Sequence, residues 1–126
     1  MFGNKPNFKS SGKYIWTKHS QAKMAYYRIS PSRVSRIIKS PLRIEEGIAP
    51  NTVAFMQPVS YKTKHGVKSW KNEYWVMVVS QNKKSKLKDK GNVKIISAWR
   101  YPGMTKPGAS LPKEILSEVS EALRSL

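Results

Sequence analysis

The chain has 126 residues, 24 Lys and Arg against seven Asp and Glu, a net charge of +17, and no cysteine. One domain of that length holds a core without staples, and the missing thiols exclude disulfide frameworks, thiolate metal sites and cysteine nucleophiles. A field so positive attracts polyanions at long range, which makes nucleic acid, RNA above all, the expected partner ahead of acidic metabolites.

Residues 1–13 read as a flexible basic arm without the apolar core of a signal peptide, and residues 14–126 as a single domain. No apolar run reaches the ~20 residues of a membrane span, so a cytoplasmic protein with no membrane contact is expected. Tyr14-Ile15-Trp16 reads as a short apolar lead into a helix, with Thr17 or Ser20 as its N-cap. The helix is expected from His19 to about Arg28, with Ala22 and Tyr26 turned inward and Lys23 reaching out. Ser30-Pro31, a cap followed by proline at the first helical position, opens a second helix. Val34, Ile37 and Ile38 form its core stripe, Arg33, Arg36 and Lys39 take the other side, and Ser40-Pro41 stops it.

From Leu42 the texture becomes that of strands. Residues 42–48 alternate weakly, and residues 52–61 form a second run in which Pro58 argues for an edge or a bulge. Residues 62–71 read as a basic, polar connection. Residues 73–79 are the clearest strand and should be central. A lysine-rich hairpin loop with Lys83, Lys84, Lys86 and Lys88 precedes a last strand from Val93 to Tyr101, apolar on both faces. Plain alternation places Val93, Ile95, Trp99 and Tyr101 on one face and Ile96, Ala98 and Arg100 on the other. Pro102-Gly103 ends the strand, and residues 111–126 carry a helical apolar face with Ile115, Val119 and Leu126. The expected architecture is α+β: two N-terminal helices, a twisted antiparallel sheet of about four strands, and a C-terminal helix.

Two histidines in different elements, one aspartate and a divided Glu45-Glu46 pair leave no basis for a metal site, and no cofactor is expected. Cations and one histidine can, without metal, promote cleavage of RNA by its own 2′-hydroxyl. That reaction needs a proton acceptor, a proton donor for the leaving oxygen, and positive charge around the phosphorane. His19 is the candidate acid or base, since imidazole titrates near neutrality. Arg100, Lys23 and Arg28 are the candidate charges. Tyr26, Tyr27, Tyr101 and Trp70 offer stacking surfaces, and Lys83, Lys84, Lys86 and Lys88 would hold phosphates without reading sequence. A metal-independent ribonuclease is thus one reading. The others are a non-catalytic basic nucleic-acid-binding module, and a protein-interaction domain using its C-terminal helix.

The order His19, Lys23-Met24, Tyr27-Arg28-Ile29-Ser30, Val34 and Pro41 leading into strands resembles a family of small bacterial and archaeal domains of unassigned function. That family looks related to the RelE/ParE toxin superfamily and the BrnT toxins, and the likeness spans about residues 14–101. The resemblance implies a two-helix hairpin followed by a curled antiparallel sheet cradling RNA, or in some branches a gyrase-directed toxin. It also implies an acidic antitoxin that masks the site, with His19, Lys23, Arg28, Arg100 and Tyr101 at matching positions. The chain departs from the pattern at Ile29, which follows Arg28 directly where the family often has glycine. Its 62–71 and 83–91 connections are also longer.

Overall fold

The computed structural model describes residues 14–46, 52–80 and 93–107. The first element is a strand: β1 spans Tyr14–Trp16, followed by helices α1 (Lys18–Tyr27) and α2 (Pro31–Lys39). Then come β2 (Arg43–Glu46), β3 (Thr52–Pro58), β4 (Lys62–Lys64), β5 (Val67–Ser69), β6 (Asn72–Ser80) and β7 (Val93–Pro102). Half of the described residues lie in strands and a quarter in helices.

Five strands form one mixed sheet in the order β1-β7-β6-β3-β2, while β4 and β5 form a separate two-stranded ribbon. β1 runs parallel to β7, with Tyr14 beside Val93 and Trp16 beside Ile95, and the other pairings are antiparallel. This overturns the expected helix-first layout with about four antiparallel strands and a RelE/ParE-like arrangement. Three residues are too few to show a period, and their extended shape comes from ladder bonds to a distant strand. The helix expected over residues 111–126 and the lysines at 83, 84, 86 and 88 lie outside the described residues.

Thr17 joins sheet to helix. Its hydroxyl donates to the Ile95 carbonyl at 2.8 Å and accepts from the Ser20 amide at 3.0 Å, capping α1 while tying it to β7. That anchor sets the helix phase. Ser20 and Met24 turn inward, whereas Ala22 is exposed and Tyr26 is 76% exposed, the reverse of the inward face expected for these two. The helix ends at Arg28 in the left-handed region (φ 59°), with the Ile29 amide bonded back to the Met24 carbonyl at 2.8 Å. α2 starts as its sequence predicts: the Ser30 hydroxyl accepts from the Arg33 amide, and Pro31 occupies the first turn.

Both faces of the sheet are buried, which explains the unbroken apolar run of β6. On the helix side, Met24, Ile29, Val34 and Ile37 pack on Phe55, Val76, Val78, Ile95 and Ala98. On the other side lie Ala54, Met56, Trp75, Met77, Ile96 and Trp99, with the two tryptophan rings stacked across β6 and β7. A bulge decides who faces where. Val78 pairs with Ile95 and Met77 with Ser97, so Ile96 is the extra residue and alternation shifts by one. Trp99 and Tyr101 therefore face away from Val93 and Ile95, contrary to plain alternation. Pro58 is not on an edge strand, since β3 lies between β6 and β2; it stands at the strand's last position, beyond the end of pairing with β2.

Candidate nucleic-acid interface

The four residues expected to act together are spread along α1 and β7. His19 lies in the first turn of α1, next to the Thr17 anchor on Ile95, and its Nε2 is buried without a hydrogen-bond partner. Arg100 is exposed near the far end of β7, opposite Tyr74; at ~3.3 Å per residue, roughly 15 Å of strand separates Ile95 from it. Arg28 is exposed at the C-cap of α1. Lys23 is half-buried, with its ammonium 5.9 Å from the Tyr26 ring. No hydrogen bond or ion pair links His19, Arg28 and Arg100 to one another.

The aromatic candidates divide. Tyr26 is open to solvent, and Tyr27 meets it edge-on while touching the apolar clusters on both faces of the sheet. That double contact puts the end of α1 at the rim of the sheet. Tyr101 is half-buried against the Trp75–Trp99 cluster. Trp70 packs on the same cluster and donates its indole N–H to Glu73 at 2.8 Å, so part of its surface is spent on structure.

A concave site lies elsewhere, where α2 meets the root of the β4–β5 ribbon. The ribbon turns through His65 and Gly66, both at positive φ (54° and 78°), as a tight two-residue hairpin requires. Every residue of β4 and β5 is exposed. Cross-strand partners share a face, so Thr63 and Lys68 look one way while Lys62, Lys64, Val67 and Ser69 look the other. A groove of about 620 Å³ runs between Arg33 of α2, Leu42, the end of β3, Tyr61 and Lys68. A second concavity of about 340 Å³ is bounded by Lys62, Ser69, Trp70, Lys71 and Asn72. Ser60 and Tyr61 line both. Tyr61 thus forms the ridge between two hollows.

Tyr61 is 54% exposed, with the Lys68 ammonium 4.6 Å from its ring centroid, a contact of about 0.5–1 kcal/mol at such a site. Arg33 lies 5.3 Å from the Tyr74 ring on the groove's far wall. Among the described residues, no acidic side chain lines either hollow. Of the three glutamates among the described residues, Glu73 is buried beneath four donors and Glu45 pairs with Arg43 at 2.9 Å. What the arrangement offers is cationic hollows around an exposed ring, a pattern suited to a charged, planar-base polymer.

Of these residues the sequence reading singled out Trp70 alone. In the sequence Arg33 reads as the outward side of a helix, and residues 62–71 as a basic, polar connection with a weaker nucleic-acid signal. The His65-Gly66 pair between short Lys/Thr and Val/Lys/Ser runs was the available signal for a hairpin. No family model matches this chain, and no curated protein or solved structure matches it either. Kinship with the RelE/ParE or BrnT toxins therefore draws no support from these comparisons.

Among the described residues, no helix is long and apolar enough to cross a membrane.

Proposed function

We propose that this chain is a basic RNA-binding module of the cytoplasm, a compartment that the absence of cysteine fits. The observation that carries the reading is the charge layout: a net +17, with the cations exposed or half-buried around shared hollows and two of the three described glutamates engaged internally. Binding would be dominated by phosphate contacts, which position a strand without reading its bases. Cleavage is not part of the proposal, because His19 keeps its Nε2 buried and lies a strand's length from Arg100. An acidic protein that masks the same surface, as the toxin resemblance implies, would compete with RNA for it.

The test is titration of the full chain against labelled single-stranded RNA at several salt concentrations. The logarithm of affinity should fall linearly with the logarithm of salt, with a slope of roughly −0.7 per phosphate neutralised. Affinity indifferent to salt, or absent at low salt, would sink the proposal. Incubation with long RNA in excess chelator should leave the RNA intact.

A further inference from the structure

We infer that the Tyr61 ridge is a stacking subsite for one unpaired base of a single strand, whose two flanking phosphates enter the hollows on either side. One phosphate meets Arg33 and Lys68; the other meets Lys62 and Lys71. The inference rests on the nucleic-acid reading above and adds to it where the strand lies and in which form it binds.

Three observations carry it. Tyr61 is the large aromatic side chain that both hollows share, and more than half of its surface is open. The cations on its two sides come from separate elements, Arg33 from α2 and Lys62, Lys68 and Lys71 from the ribbon and its root, so the fold converges them on one ring. The nearest carboxylate to the ridge in sequence, Glu73, has both oxygens covered by indole, amide and hydroxyl donors and does not face the hollows. A base inside a duplex has both faces occupied by its neighbours, so a lone exposed ring between phosphate holders selects unpaired strands. Ser40, Ser60 and Ser69 line the same hollows and bring hydroxyls that can partner sugar or base edges, while the Gln57 amide nitrogen is engaged by the Arg36 and Ser40 carbonyls.

The experiment measures fluorescence anisotropy of the full chain with a labelled oligouridine strand, the matching DNA strand, and a blunt RNA duplex, compared at equal salt and repeated at several salt concentrations. Tyr61→Ala should weaken both single strands about tenfold or more, the scale of losing one base stack, and leave the duplex unchanged. Tyr61→Phe should bind within about twofold of wild type, since the ring and not the hydroxyl does the stacking. The double variant Arg33→Ala/Lys68→Ala, which removes both holders of one phosphate, should flatten the salt slope by roughly 0.7, whereas Tyr61→Ala should keep it. Single-strand binding by Tyr61→Ala equal to wild type, with normal salt dependence, overturns the subsite and leaves the general function standing. Equal losses on strand and duplex also overturn it, in favour of a backbone contact alone. No binding of any of the three by wild type removes both readings together. Thermal melting of Tyr61→Ala, whose side chain lies at the surface, confirms that the fold is held constant.

Discussion

Glu73 grips Thr105 twice: its Oε2 accepts from the Thr105 amide at 2.9 Å, and its Oε1 accepts from the Thr105 hydroxyl at 2.8 Å. The remaining acceptor capacity takes the Trp70 and Trp75 indole N–H groups, at 2.8 and 2.9 Å. Arg43 closes the circuit by donating to the Thr105 carbonyl and hydroxyl, with its guanidinium 5.3 Å from the Trp75 ring. One fully buried carboxylate thus fixes the root of the β4–β5 ribbon, the start of β6 and the chain after β7. Glu73→Gln presents an amide nitrogen to at least one donor and leaves that donor unpaired, which costs about 1–3 kcal/mol. A urea melt should show a clearly lower midpoint, and a midpoint equal to wild type would refute the arrangement.

Arg28 occupies the left-handed region at φ 59°, where a side chain is strained by about 1–2 kcal/mol and glycine is not. Glycine's greater freedom in the unfolded chain takes back roughly 0.5–1 kcal/mol. Arg28→Gly should therefore melt at the same temperature or a few degrees higher. A marked drop would mean that the guanidinium makes a stabilising contact that outweighs the strain.

Thr17 predicts a contrast between two conservative changes. Thr17→Ser keeps a hydroxyl for both the Ser20 amide and the Ile95 carbonyl; Thr17→Val keeps the shape and loses both bonds. The valine variant should be less stable by about 1–2 kcal/mol and the serine variant nearly normal. Denaturant midpoints for the pair decide it. Equal losses would assign the effect to packing.

His19 separates the binding module from the ribonuclease. Its buried, unpartnered Nε2 makes replacement by an apolar side chain of similar size inexpensive. His19→Leu should hold or raise the melting temperature and leave salt-dependent RNA binding unchanged. If wild type cleaves RNA in chelator and this variant does not, the catalytic reading replaces the one proposed here.

Signals confined to neighbouring residues were legible before the fold was. Ser30-Pro31 marks the start of α2, and the apolar run from Tyr74 to Val79 marks β6. What sequence pattern missed depends on residues far apart. β1 is a strand because Val93–Ile95 offers a ladder, and α1 adopts its phase because Thr17 reaches the Ile95 carbonyl, 78 positions away. One bulged residue, Ile96, reversed the faces of Trp99 and Tyr101, since a period of two carries any slip to the end of the strand. The Tyr61 hollows escaped for the same cause: Arg33 and Lys68 meet only after α2 and the ribbon have folded.

The parallel pairing of β1 with β7 also sets a timetable. On the ribosome β1 and α1 emerge well before β7, the strand they lean on, which is among the last described segments to be made. Until then α1, which buries only Ser20 and Met24, has little to hold it, and β6 is an open edge presenting Trp75, Val76, Met77 and Val78. A nascent chain stalled before Val93 would therefore be sticky along that edge, and folding would complete largely after β7 has been released.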